Sequence, residues 1–439
     1  MIDLKFLRNN ITEAKDILKK RNVTFEVEKI LDLDAKRSSL IQKIENLRAE
    51  RNKISKTDSE EHRKRGREIK EELKIIEPEF AAIDTELKNA LWELPNTLDP
   101  HTPIGRDENE YKELKKVGKP KKFSFKPLDH VELGKKLDII DFEKGAKVTG
   151  SQFYFLKNDA VLLEQALINF SLELLIKEKF TIIETSDLAK LSVIDGIGYR
   201  PRGPETQIYK IDGEDLGLIA TAEITIGGYH QNEILNEKDL PLKYVGISHC
   251  FRREAGGYGR YSRGLYRVHQ FTKVEMFIYC LPEDSPKMHD YLLSIEEKIY
   301  QKLEIPYRVM DIVSGDLGSP AIRKFDIEGW MPGRGDYGEI TSTSNCTDYQ
   351  AARLNIKYEK ILGTSSGKDS KGNIPKNIQI FETPMPPEKG YVHMLNGTAI
   401  AISRALIVLL ENNQEKDGSI KIPKVLVPFM GKERITSLR

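Results

Sequence analysis

Cysteine is scarce in this 439-residue chain: only Cys250, Cys280 and Cys346 occur. An odd number of well-separated cysteines excludes a disulfide framework and fits a reducing compartment. No CxxC pair and no CxxC…HxxxH spacing is present, so no zinc is expected. Apolar runs of membrane-spanning length, about 18 residues, are also missing, and no membrane partner is expected. The opening MIDLKFLRNNITEAKDILKK carries charge throughout and no signal-peptide-like core, so a cytoplasmic location is expected. Neither GxGxxG after a strand nor GxxxxGKS/T occurs, which leaves a dinucleotide fold and a P-loop unsupported. Net charge is nearly absent, at +1. What remains is charge of both signs, 31% of residues beside 39% hydrophobic ones. That profile belongs to a globular chain with room for roughly two or three domains.

Two regions differ in character. In residues 27–94, Ile30, Leu33, Leu40, Ile44, Leu47 and Ile54 recur at three- and four-residue steps, with Arg37 and Arg51 in the skipped positions. Ile69, Leu73, Ile76, Phe80, Ile83, Leu87, Ala90 and Leu94 repeat the rhythm after SKTDSEEHRKRG. The spacing predicts an antiparallel helical hairpin, a coiled coil within one chain, with Pro78 kinking its second arm. From Ala35 to Lys70 there are twelve Lys and Arg against six Asp and Glu, a local net of +6. Such a hairpin serves as a spacer or dimerisation rod, or its basic end meets nucleic-acid phosphates. Residues 95–135 read as a proline-containing linker with a short extended segment.

From about residue 145 strands and helices mix without regular βαβ alternation, which predicts an α+β fold around an antiparallel sheet. KYVGISHCF and RVHQFTKVEMFIYC read as strands, as do YRVMDI, KFDIEGWMP and YGEITSTSN; TAIAISRALIVLLENN, residues 398–413, reads as a buried helix. Between the first two strands lies a glycine-punctuated turn, with five arginines between Arg252 and Arg267. Arg252, at a strand end, can grip two phosphate oxygens. Arg404, in an apolar helix, needs a partner. Glu339 and Ser342 offer hard oxygens suited to Mg²⁺, and Phe271 can stack a base. Singly, each has an ordinary structural explanation; together they favour nucleotide binding.

These residues carry a resemblance. HCFRREAGGYGRYSRGLYRVHQF resembles motif 2 of the class II aminoacyl-tRNA synthetases, and LNGTAIAISR resembles their motif 3. TAEITIGG, RKFDIEGWMPG, YGEITSTSNCTDYQAARL, IPKVLVPFMG, GSQFYFLK and the start MIDLKFLRNN extend the similarity to the bacterial-type seryl-tRNA synthetase family over essentially the whole chain. The resemblance implies an N-terminal tRNA-binding domain at 1–108, its hairpin at about 27–94, and a catalytic domain at 109–439 with a class II-like antiparallel sheet and flanking helices. It implies serine activation by ATP, then transfer of serine to tRNA(Ser), with tRNA(Sec) as a further acceptor, by a homodimer.

Residue by residue, the resemblance implies that Arg252 holds the α-phosphate and Arg404 the γ-phosphate of a bent ATP. Phe271 would stack adenine, and Glu254 would face its amino group. Arg253, Ile340, Thr341 and the backbone at Val268 would complete the nucleotide site, and Glu339 with Ser342 would bind Mg²⁺. Serine would be held by Thr221, Ala222, Glu223 and Arg252, with its hydroxyl read by Glu275 and Thr398. Arg260 and Arg263 would meet the acceptor end of tRNA. ETSDLAK carries Thr185 and Ser186 where the family usually shows a proline, and GYRPRGPETQIYKI departs from the commoner GxxPxxxxDxY form. A non-catalytic relative would lack Arg252, Glu275, Glu339 or Arg404, and a carrier-protein ligase would lack the hairpin. All of these are present.

Overall fold

The computed structural model describes residues 2–56, 59–199, 206–254, 262–360 and 388–437. They form two compact units, Met1–Glu110 with Val313–Ser319, and Tyr111–Ile312 with Pro320–Arg439. Val313–Ser319 joins the first unit through backbone bonds such as Asn96 N to Ser319 O (2.8 Å) and through Arg21, which donates to the Gly318 carbonyl at 2.8 Å.

In the first unit, helices α1 (Leu4–Asn9) and α2 (Ile11–Lys20) pack against the base of a hairpin made of α3 (Val27–Ile54) and α4 (Glu60–Glu93). The heptad residues Ile30, Leu33, Ile44, Leu47, Ile69, Leu73 and Leu87 are buried along its seam. Ion pairs fix the antiparallel register, Arg37 to Asp84 (2.5 Å) and Arg48 to Glu77 (2.8 Å). Arg37 also lies over the Phe80 ring at 5.8 Å, which explains a cation at a seam position. The connection is shorter than the sequence indicates, because EEHRKRG belongs to α4. Ser59 caps that helix by accepting the His62 N–H at 3.2 Å, and Glu60 and Glu61 favour its positive end. α4 continues through Pro78, which leaves the Lys74 carbonyl without its helical donor.

The second unit is built on an eight-stranded sheet. Its strands are β1 (Lys112–Val117), β2 (Thr181–Glu184), β3 (Leu242–Phe251), β4 (Gln270–Cys280), β5 (Tyr307–Asp311), β6 (Arg323–Met331), β7 (Asp336–Asn345) and β8 (His393–Ala401). Across the sheet they run β1-β5-β6-β7-β8-β4-β3-β2, antiparallel except for the β2–β3 pair at one edge. The helices that matter for the site are α5 (His130–Lys136), α6 (Asp159–Lys177), α7 (Ala222–Gly227), α8 (Ser285–Lys302) and α9 (Ile402–Asn412). Residues 398–401, expected as helix, are the end of β8: Thr398 pairs with Glu275, and the helix starts only at Ile402.

Alternation along β4 creates the two faces of the sheet. Val274, Met276 and Ile278 point into the main core with residues of α6, α8 and α9. Phe271, Lys273, Glu275, Phe277 and Tyr279 occupy the other face. Phe277 and Tyr279 close it with Ile224 and Ile226 of α7. The polar half stays available for chemistry. Gly246, opposite Glu275 on β3, lets α7 approach; a Cβ there would lie 2.8 Å from that of Ala222.

Ile69→Ala should lower hairpin stability by about 2–4 kcal/mol in urea unfolding, whereas exposed Ile75→Ala should change it by under about 0.5 kcal/mol. Equal effects would contradict the assigned seam.

Candidate active site

Glu275 is 1% exposed in the middle of β4. Its Oε2 is met by Lys273 Nζ at 2.5 Å and by the Thr398 hydroxyl, which donates at 3.1 Å. Oε1 has no partner among the described residues, so the carboxylate is held from one side and available on the other. Glu223, at the start of α7 behind its cap Thr221, accepts from Gln350 Nε2 (2.8 Å) and Asn396 Nδ2 (2.9 Å). Burial, and then the charge of Glu275, push Glu223 up to about 7. Ala222 is fully buried.

A bulge aligns the second cluster. Thr341 pairs with Ile327 and Glu339 with Glu328, so Ile340 is an extra residue on β7. Three positions apart, Glu339 and Ser342 would face opposite sides of a regular strand; the bulge brings them to one face. Ile340 therefore turns into the core, and Thr341 Oγ1 bonds the Thr398 carbonyl. Neither of those two side chains lies on the face of Glu339. Arg404 Nη1 pairs with Glu339 at 2.9 Å, and its guanidinium lies over Tyr266 at 5.0 Å. Burial alone would raise Glu339, but Arg404, Lys324 and Arg252 outweigh it and hold the carboxyl well below the usual range. The partner required for Arg404 is thus the residue expected to bind metal. Among the described residues, no group of three or more His, Cys, Asp or Glu could hold a metal ion.

Arg252 stands over the Phe271 ring at 5.2 Å. Glu254 adopts a left-handed φ of 50° and pairs with Arg267 at 2.6 Å, a strained turn held by a charge. Arg253 is exposed, and Val268 is buried. Arg260 lies outside the described residues. Arg263 is tied to Asp129 of the α5 cap.

Several participants escaped sequence reading. Lys273 was within reach, since Phe271, Lys273 and Glu275 alternate along one strand. Gln350 and Asn396 carried no local signal, because they meet Glu223 only through the topology. His130 and Glu411 are likewise 281 residues apart. Leu265 N–H donates to His130 Nε2 at 3.1 Å, so the ring proton sits on Nδ1, 2.8 Å from Glu411. Glu411 also accepts from Gly333 N at 2.8 Å. This buried brace joins α5, the end of α9, the β6–β7 turn and the base of the arginine-bearing loop.

A largely antiparallel sheet with one arginine at the end of β3 and another on α9, the helix that follows β8, beside a group of buried carboxyls, is the arrangement of a class II aminoacyl-tRNA synthetase. Residues 208–367 match the tRNA synthetase class II core domain (G, H, P, S and T), and residues 1–98 match the seryl-tRNA synthetase N-terminal domain. The chain is 55% identical over 441 residues to the serine–tRNA ligase of Dictyoglomus turgidum, covering 98% of each. It resembles the crystal structure of seryl-tRNA synthetase from Pyrococcus horikoshii complexed with ATP, with a TM-score of 0.86, 39% identity and 100% of both chains covered. The cytoplasmic serine–tRNA ligase of Naegleria fowleri in complex with AMP aligns at a TM-score of 0.81 and 32% identity, covering 99% of this chain and 97% of that one. The chain belongs to the seryl-tRNA synthetase family of ATP-dependent aminoacyl-tRNA ligases.

His130→Ala should cost about 2–3 kcal/mol in urea unfolding and speed amide exchange at Leu265. An unchanged Leu265 amide would show that the brace does not hold the loop base.

Proposed function

We propose that the chain activates L-serine with ATP and transfers it to tRNA(Ser), with Glu275 reading the serine hydroxyl. The observation that carries this reading is the half-occupied carboxylate: Lys273 and Thr398 bind Oε2, which leaves Oε1 for a small alcohol. Thr398 gives its proton to Glu275, so it orients the reader rather than donating to the ligand. A pocket built to bond a hydroxyl leaves its own polar groups unpaired when alanine enters. The serine ammonium group is assigned to Glu223 and Thr221, with the Ala222 backbone beside them.

Serine's carboxylate is already ionised near neutral pH, so its attack on the α-phosphorus of ATP needs no general base. A P–O bond forms there as the bond to the β-phosphate bridge breaks and pyrophosphate leaves. Positioning and charge neutralisation supply the acceleration. Arg252 is assigned to the α-phosphate, with a carboxylate oxygen of serine beside it, and Arg404 to the γ-phosphate. Phe271 and Glu254 are assigned to adenine, and Arg253, Ile340, Thr341 and the backbone of Val268 complete the nucleotide site. A terminal ribose hydroxyl of tRNA then attacks the seryl carbonyl carbon, and AMP departs.

Glu339 and Ser342 fit Mg²⁺ in type, as an ionised carboxylate and a hydroxyl on one face. Two protein ligands suit an ion held largely by substrate phosphates and water, where it would neutralise phosphate charge. On the hairpin, Lys43, Arg51, Lys53, Lys64 and Arg67 make no ion pair among the described residues, which supports contact with the backbone of folded tRNA. Leu162 and Ile176 on α6 and Ile182 on edge strand β2 are 40–56% exposed, which supports a homodimer through that edge. Three free, buried cysteines suit a cytoplasmic setting. tRNA(Sec) as a second acceptor rests on the bacterial-type resemblance.

Glu275→Ala should lower serine-dependent ATP–pyrophosphate exchange by about 10⁴-fold; near-normal exchange would overturn the assignment. Glu223, held at about 7, attracts an ammonium group only when ionised. The KM for serine should therefore rise as pH falls below 7, approaching tenfold per unit at about 37 °C or 25 °C alike. Glu223→Gln should give a high KM that no longer varies with pH, and a wild-type KM flat from pH 6 to 8 would contradict the role.

A further inference from the structure

Residues 112–126, KELKKVGKPKKFSFK, hold seven lysines and one glutamate, a local net of +6 in a chain of +1. The segment begins as edge strand β1, paired to β5, and continues as a run outside any helix or strand. Lys115 and Lys116 are neutralised, by Glu297 at 2.9 Å and Glu113 at 3.0 Å. Lys112, Lys119, Lys121, Lys122 and Lys126 are exposed and make no ion pair among the described residues. Unrelieved like charge at this density is costly unless an anion completes it.

Two features separate this run from an ordinary solvated face. Phe123 and Phe125 are half-buried and meet edge to face at 5.2 Å, with Lys121 Nζ held 5.1 Å from the Phe123 ring, so the lysines project from an ordered backbone. The far end is clamped. Gln414 bonds both the amide and the carbonyl of Leu128, at 2.8 and 2.9 Å, and the next residue, Asp129, pairs with Arg263. The cationic run therefore leads from the sheet edge to the base of the motif 2 loop, where the reacting end of an RNA would have to arrive.

We propose that Lys119, Lys121, Lys122 and Lys126 form a phosphate-binding track for the acceptor stem of the tRNA substrate, separate from the basic hairpin. The inference rests on the aminoacylation reading above and extends it. Exposed ammonium groups without base-reading side chains suit the backbone of an A-form duplex. Each phosphate neutralised releases counterions, so each lysine adds to the salt dependence of binding.

The test replaces the four lysines together by alanine in the full chain. Binding of full tRNA(Ser), and of a minihelix carrying only its acceptor stem and T arm, is measured from about 50 to 200 mM salt. Both RNAs should bind about tenfold or more weakly at low salt, with the log–log salt slope reduced by about 3. Serine-dependent ATP–pyrophosphate exchange should be unchanged. Wild-type affinity and slope for both RNAs would overturn the proposal, leaving the run to a protein or to solvent. A defect confined to full tRNA would place the contact elsewhere on the RNA and would overturn it too. Lack of exchange in the unsubstituted chain would instead sink the serine-activation reading.

Discussion

The ion pair between Lys273 and Glu275, 2.5 Å apart on one face of β4, governs the site around it. Both side chains are almost wholly buried, and a carboxylate so placed needs a cation beside it to keep its charge. Its effect spreads outward. Glu223, on α7, is pushed up by burial and then by Glu275. On α8, Glu296 is buried without a hydrogen-bond partner among the described residues and is raised far above its usual range by burial, Glu275 and Asp326. Burial raises Asp326 as well, against the pull of Lys324. Of these carboxyls, Glu275 is the one that the lysine directly contacts.

Arg404 and Glu339 form a second, less buried pair, 2.9 Å apart. Phosphates and a metal would compete for the same two groups, the arginine turning to anionic oxygen and the carboxylate to a hard cation. Without them each group neutralises the other, which holds both in place before substrate arrives. Arg252 over Phe271 is a similar resting contact, since a base on that ring and a phosphate on that guanidinium would replace it.

Legibility in the sequence followed the range of the physical signal. Hairpin periodicity is local, so its seam could be read directly, including the odd Arg37. The loop between its arms was drawn too long because Ser59 as a cap is a weak cue beside a run of charge. Thr398 was placed in a helix because TAIAISRALIVLL is apolar at every spacing; pairing with Glu275, 123 residues away, makes its first part strand. Glu339 and Ser342 could be picked out by their hard oxygens, but their common face depends on the Ile340 bulge, which no alternation pattern reveals. The braces from His130 to Glu411, and from Gln350 and Asn396 to Glu223, join elements that only the topology brings together. The partners of Glu223 and Glu411, brought in from distant elements, left no local signal to read.

The clearest check on the half-occupied carboxylate is a crystal structure with a non-hydrolysable seryl-adenylate analogue. The ligand hydroxyl should lie within about 2.6–3.0 Å of Glu275 Oε1 while Lys273 and Thr398 keep Oε2, with the phosphate against Arg252. A hydroxyl directed away from Glu275, or a ligand seated off the β4 face, would contradict it.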